Sequence, residues 1–98
     1  MGRYRLAIPP RVADVIRRLH PDLKRSVRNA LRALGDDPSK GSPLRRELEG
    51  LWKFRVRRFR VVYAVDRLRR IIQVVAVGHR RTIYEELSEG RLRQGGTK

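Results

Sequence analysis

The amino-acid sequence predicts an α+β domain in which a helix hairpin packs on one sheet. Two observations favour this class: apolar residues recur at helical spacing in the first third of the chain, and they alternate with cations from residue 52 onwards. A chain of 98 residues is long enough for one modest core and too short for two. We therefore expect a single domain over residues 1–90 and a flexible tail at 91–98, which has little to bury.

The N-terminal part of the chain predicts one strand and two helices. Basic and apolar residues alternate from Arg3 to Ile8, which is typical of a half-exposed strand, and two prolines follow. Apolar residues at helical spacing then predict a helix from Arg11 to His20 and another from Pro21 to Gly35. Their outer faces carry cations that we interpret as solvated surface: Arg17, Arg18, Lys24, Arg25, Arg28 and Arg32.

The second half of the chain predicts an antiparallel meander of three strands. The composition of residues 35–43 indicates a loop, after which strands are expected at 52–56, 59–65 and 71–77. Reversals fall at residues 57–58 and 66–69. With the first strand this makes one four-stranded sheet, and residues 80–89 are expected to form a short closing helical segment.

Charge and composition narrow the classes of function. Lys and Arg number 25 against ten Asp and Glu, a formal net charge of +15, which favours a polyanionic partner. The chain has no cysteine, so it cannot hold a disulfide or a thiolate metal site. It also has no apolar run of the roughly 18 residues that a membrane span needs, and no secretory signal pattern. We expect a soluble, cytoplasmic protein without membrane partners.

The stretch KFRVRRFR, residues 53–60, is the strongest candidate site. Alternation places Lys53, Arg55 and Arg57 on one face of a strand, and Arg60 lies across from them if the turn is short. A charged outer sheet face is common, but carboxylates usually intersperse there and none occurs in this stretch. The following GHRRTIY segment adds four side chains at one rim of the cluster: His79, Arg80, Arg81 and Tyr84.

These groups suit phosphodiester cleavage in RNA. The reaction needs a base for the 2′-hydroxyl, positive charge for the phosphorane and assistance at the leaving oxygen. Crowded positive charges make it easier for a lysine to give up its proton and act as a base. No pair of carboxylates on the basic face is placed to hold magnesium, so the sequence predicts neither a metal nor another cofactor.

Two stretches, LRRELEGLWKFRVRRFRVVYAVD and VAVGHRRTIYEEL, resemble the RelE/ParE superfamily of toxins from toxin–antitoxin systems, and the RelE branch is the most similar. The resemblance implies a RelE-like fold and metal-independent cleavage of messenger RNA in the ribosomal A site, which leaves a 2′,3′-cyclic phosphate. It implies Lys53 as base, Arg60 at the phosphorane, Arg80 at the leaving group and Tyr84 on the nucleotide. The expected RNA-binding residues are Arg55, Arg57, Arg58, His79 and Arg81.

The resemblance leaves alternatives open. Arg55 stands where RelE has lysine, and arginine is a poor proton acceptor. The stretch ELEGLW is also similar to the YoeB branch, whose base is a glutamate at the position of Glu47; otherwise Glu47 has a structural role beside Arg45 and Arg46. The chain is alternatively a ParE-type gyrase poison without nuclease activity, or a non-catalytic RNA-binding relative. Each toxin reading implies an acidic, partly disordered antitoxin as partner.

Overall fold

The computed structural model describes residues 3–85 and 87 and confirms the predicted α+β class. The strands and helices, in chain order, are β1 (Arg5–Ala7), α1 (Pro10–Arg17), α2 (Pro21–Asp36), β2 (Ser42–Pro43), β3 (Trp52–Val56), β4 (Phe59–Asp66) and β5 (Ile71–His79). Residues 83–85 and 87 are helical, which is the predicted closing segment. The predicted tail at 91–98 lies outside the described residues. No helix in the described part is long and apolar enough to cross a membrane.

The sheet contains one strand more than predicted. Its order is β1-β5-β4-β3-β2, with β1 parallel to β5 and all other neighbours antiparallel. The additional strand β2 has only two residues, Ser42 and Pro43, which pair with Lys53 and Trp52. It lies in the stretch predicted to be a loop, because a two-residue pairing depends on a distant partner and produces no alternation of its own.

Both helices begin at a proline, where the missing N–H costs no hydrogen bond. The His20 ring also accepts a hydrogen bond from the Asp22 amide at 3.3 Å, which helps to begin α2. The apolar faces of the two helices pack on one face of the sheet. The residues buried most completely in this core are Val27, Leu34, Val61, Tyr63 and Ile72.

Tyr63 is the largest fully buried side chain in the described part of the structure. Its ring stacks on Trp52 with centroids 6.3 Å apart, and its hydroxyl donates a 2.6 Å hydrogen bond to the Pro38 carbonyl. Gly41 lies directly beside that hydroxyl and the Lys53 carbonyl, so a side chain at position 41 would clash with both. The loop after α2 is thereby held against β3.

The opposite face of the sheet carries a second core, which we call the second cluster. Its buried members are Leu48, Leu51, Val62 and Ile83. Leu48 belongs to a short 3-10 turn before β3, and Ile83 belongs to the closing helical segment. These two pieces cover the middle of this face. The residues Arg55, Arg57 and Arg58, at the end of the face where β3 turns into β4, are exposed, and we call this the open end.

Candidate functional site

The strand register assembles most of the predicted cationic face. Arg55 of β3 pairs directly with Arg60 of β4, and Lys53 pairs with Val62. Side chains of directly opposed residues share a face, with Cβ atoms about 4.5–5.5 Å apart. Lys53, Arg55 and Arg60 therefore lie together on the face opposite the helices. Lys53 and Arg60 are half-buried, whereas Arg55 is exposed.

Arg60 lies beside the closing helical segment. Its neighbour on β5 is Gly78, and the Ile83 side chain packs over that glycine, 3.4 Å from where a Cβ at position 78 would lie. One guanidinium nitrogen of Arg60 donates to the Phe59 carbonyl at 3.2 Å, which steadies the side chain along its own strand. The remaining N–H groups of the planar fork suit a phosphate.

The positive charge of this face is not neutralised by any ion pair within residues 3–85 and 87. The two ion pairs of this region, Arg17–Asp14 and Arg25–Asp22, both lie on the helices. Like charges placed opposite each other on a sheet cost stability unless an anion is bound. The face therefore has the electrostatics of an anion site.

The turn between β3 and β4 brings two further cations to the open end of the face. Arg57 and Arg58 form this turn and are exposed, and Arg57 has a left-handed backbone with φ 58°. The Arg58 carbonyl accepts a 2.8 Å hydrogen bond from the Arg80 amide. This bond joins the turn to the segment after β5, so Arg58 and Arg80 are neighbours at this end.

His79 is the predicted site residue that the structure does not bring to the cationic face. It pairs with Phe59, and the two rings meet edge to face with centroids 5.7 Å apart. Phe59 packs against the core under the helices, so His79 lies on the helix side of the sheet. The reason is that β5 continues to His79, and its alternation turns that side chain away from Gly78's face. The His79 ring accepts a hydrogen bond from the amide of the exposed Arg81 at 3.2 Å.

Tyr84 lies beside the site rather than open to it. Its ring packs against the second cluster, which also contains Val62, the partner of Lys53 in the sheet. The Tyr84 hydroxyl is buried and has no hydrogen-bond partner among the described residues. A buried hydroxyl that has no partner at all costs about 1–3 kcal/mol.

Glu47 is exposed on the 3-10 turn at Arg46–Leu48. It forms no ion pair with a described residue, including Arg45 and Arg46. Its neighbour Leu48 is what anchors the turn in the second cluster. Glu47 is therefore not held in place by the pairing with nearby arginines that a structural role predicts.

The second cluster was not predicted from the sequence, although it bounds the site. The apolar residues Leu44, Leu48 and Leu51 before β3 were a signal, as were Ile83 and Leu87 at helical spacing after β5. Because the two groups are more than 30 residues apart, their contact follows from the strand order and not from local patterning.

The sequence matches the model of a known protein family over residues 9–84, described as the ParE toxin of the type II toxin–antitoxin system parDE. This match covers well over half of the chain. The chain belongs to this toxin family. No curated protein matches the toxin significantly.

Solved structures with the same fold are also toxins of such systems. The Mycobacterium tuberculosis toxin–antitoxin complex RelBE2 is 27% identical, with a TM-score of 0.73 over 82% of this chain and 94% of that one. A free mutant form of Escherichia coli RelE is 21% identical, with a TM-score of 0.73 over 96% and 98%. The YoeB/ParE toxin from Agrobacterium tumefaciens is 19% identical, with a TM-score of 0.67 over 76% and 96%. The predicted membership of the RelE/ParE superfamily is confirmed.

Proposed function

We propose that this toxin is an endoribonuclease that cuts messenger RNA in the ribosomal A site by attack of the 2′-hydroxyl, without a metal. The observation that carries the proposal is the row of Lys53, Arg55 and Arg60 on one sheet face, with no carboxylate paired to it among the described residues. Such a row binds a phosphodiester and stabilises the additional negative charge of a phosphorane.

In the proposed reaction Lys53 acts as the general base and removes the proton of the 2′-hydroxyl. The 2′-oxygen attacks phosphorus, the bond to the 5′-oxygen breaks, and a 2′,3′-cyclic phosphate forms. Arg60 neutralises the phosphorane, and Arg80 neutralises charge on the departing 5′-oxygen, which takes up a proton from water. Glu47 is the alternative base, since it is exposed and unpaired among the described residues.

The remaining site residues hold and orient RNA in this proposal. Arg55 is the exposed member of the row and holds backbone phosphate. Arg57, Arg58 and Arg81 extend the positive surface at the open end, where all three are exposed. Tyr84 positions the nucleotide, for which its ring must leave part of its contact with the second cluster. His79, on the helix side, contributes by orienting Arg81 through the 3.2 Å hydrogen bond rather than by direct contact.

A cognate antitoxin is the second proposed partner. Several of the matched structures are toxin–antitoxin complexes, including those from M. tuberculosis, Pyrococcus horikoshii and E. coli. A net charge of +15 on 98 residues complements an acidic, partly disordered antitoxin, which would associate rapidly by electrostatic attraction.

Gyrase inhibition is the second candidate function, and the match to a ParE family model favours it. Expression of the toxin without antitoxin, followed by mapping of cellular mRNA ends and of DNA-damage markers, separates the two. Cuts in phase with codons support the nuclease. A DNA-damage response with intact mRNA supports gyrase inhibition and overturns the nuclease.

A further inference from the structure

A second group of arginines lies at the opposite end of β4 from the site. The turn between β4 and β5 contains Arg67, Arg69 and Arg70, and all three are exposed. Arg5 of β1 is also exposed and pairs with Ile71, the residue that follows the turn. We call these four residues the distal arginines. The proposed cleavage reaction uses none of them.

The backbone that carries the distal arginines is fixed by hydrogen bonds. The Asp66 carboxylate accepts a bond from the Arg69 amide at 3.0 Å, and the Arg70 carbonyl accepts one from the Arg5 amide at 2.9 Å. Asp66 is thus used in holding the turn. None of the distal arginines forms an ion pair with a described carboxylate. The backbone under these four arginines is therefore ordered, and no described carboxylate neutralises the positive charge of their guanidinium groups.

The strand register relates this group to the cleavage site. Along β4, Arg60, Val62, Ala64 and Asp66 alternate onto one face, and Asp66 pairs with Ile71, the partner of Arg5. Arg5 therefore lies on the same sheet face as Arg60. At about 3.3 Å per residue, the six steps along β4 from Arg60 to Asp66, where the turn begins, span about 20 Å. The pieces that carry Leu48 and Ile83 cover the face between the two groups, so a strand that reaches both must pass over them and is several nucleotides long.

We propose that the distal arginines form a second phosphate-binding surface, which holds single-stranded RNA that extends from the cleavage site. The inference rests on the proposed function. All four cations are arginines, whose planar forks match phosphate oxygens and are weakly hydrated. The OB fold, another small nucleic-acid-binding domain, contacts about 4–16 nucleotides of a single strand.

An exposed leucine at the tip of the turn would suit a protein partner rather than RNA, and the test must distinguish these two partners. Leu68 is 99% exposed between Arg67 and Arg69. An acidic protein with an apolar pocket would use this side chain, whereas binding to a phosphate backbone does not need it. Replacement of Leu68 therefore distinguishes the two partners.

The test measures binding of labelled 2′-O-methyl RNA, which cannot be cleaved, to the full chain by fluorescence anisotropy. Probes of about 3 and about 20 nucleotides lie below and above the range of about 4–16 nucleotides for a single-strand site. The variant R67Q/R69Q/R70Q is compared with the control R25Q/R28Q/R32Q, which removes the same charge from exposed positions on α2. Circular dichroism verifies that both variants are folded.

We expect the turn variant to bind the long probe about tenfold more weakly, with a salt slope reduced by about 2, since each lost phosphate contact of a single strand contributes about 0.7. The short probe is unaffected, and the α2 control and Leu68→Ser bind the long probe nearly as wild type does. Equal losses in the turn and α2 variants, or a Leu68→Ser loss as large as that of the turn variant, overturn the proposal. Because binding is measured without cleavage, a wild-type protein that does not cut mRNA disproves the proposed function and leaves this test intact.

Discussion

Tyr84 combines a predicted role in the reaction with an unfavourable position in the resting fold. Its hydroxyl is buried in contact with the second cluster and has no partner among the described residues. Burying a hydroxyl without a hydrogen bond costs free energy of folding, whereas a phenyl ring of the same shape avoids that cost. Residues that lower stability in this way are often kept for function.

Tyr84→Phe is therefore expected to change stability and activity in opposite directions. The free energy of unfolding rises by about 1 kcal/mol, because the unpaired hydroxyl is removed while the packing remains. The rate of mRNA cleavage falls. Urea unfolding and cleavage on programmed ribosomes measure the two effects, and a variant that is less stable than wild type would show that the hydroxyl is hydrogen-bonded in solution.

Tyr63 predicts how stability depends on alkaline pH. Burial, above all, raises the pKa of Tyr63 to about 12. In the unfolded chain tyrosine loses its proton near pH 10, so the stability that neutral Tyr63 contributes is complete below pH 10 and is lost as the pH rises to about 12. Tyr63→Phe has no proton to lose at this position.

We expect Tyr63→Phe to be less stable than wild type at pH 8 by about 1 kcal/mol, since the hydrogen bond to the Pro38 carbonyl is lost. This difference should shrink between pH 10 and 12, because only the wild type loses stability through Tyr63. Chemical denaturation at several pH values measures it. Parallel curves for the two proteins across this range would contradict the assignment.

At the scale of elements, the two-residue turn between β3 and β4 contains a strained position. Arg57 has φ 58°, a backbone region that costs a residue with a side chain about 1–2 kcal/mol, whereas Arg58 is not in this region. A turn with this φ at its first residue favours glycine there.

Arg57→Gly is expected to raise the free energy of unfolding by a few tenths to about 1 kcal/mol, since relief of strain exceeds the greater freedom of glycine in the unfolded chain. Arg58→Gly is the matched control and gains nothing. Thermal unfolding compares them. If Arg57 also holds phosphate, Arg57→Gly cleaves RNA several-fold more slowly while being more stable. A loss of stability in Arg57→Gly would show that the arginine side chain supports the turn.

Local patterning predicted the elements of this fold better than their contacts. The alternation of residues 52–66 was sufficient to predict β3, β4, their short turn and the shared face of Lys53, Arg55 and Arg60. The position of His79 was not predictable, since it depends on whether β5 ends at Gly78 or one residue later. The roles of the site residues remain predictions, because charge and register do not determine which group moves a proton.

At the scale of the whole molecule, the net charge of +15 favours partners that carry negative charge. Charges of this magnitude steer an oppositely charged partner, and salt screens the attraction. We expect the association rate of toxin and acidic antitoxin to fall at least tenfold between about 50 and 500 mM NaCl, while the dissociation rate changes less. Stopped-flow fluorescence measures both rates. An association rate independent of salt would show that charge does not drive this encounter.

The fold is shared by toxins of this superfamily, and a shared fold does not determine which target a member attacks. We propose that side chains of the cationic face cleave RNA by promoting attack of the RNA's own 2′-hydroxyl. Four variants address it directly: Lys53→Ala, Arg60→Ala, Arg80→Ala and Tyr84→Phe. Each variant is expected to cleave mRNA more slowly than wild type. Arg60→Ala is expected to be the slowest, by about 100-fold or more relative to wild type, because it removes positive charge at the phosphorane.

The most direct test is the rate and the 3′-end chemistry of mRNA cut on programmed ribosomes by wild type and Arg60→Ala, with Arg28→Ala on the outer face of α2 as control. The proposed function predicts a 2′,3′-cyclic phosphate from wild type and Arg28→Ala, and almost no product from folded Arg60→Ala. Uncut mRNA with folded wild-type toxin, a product that ends in a 3′-hydroxyl, or wild-type rates in Arg60→Ala would contradict it.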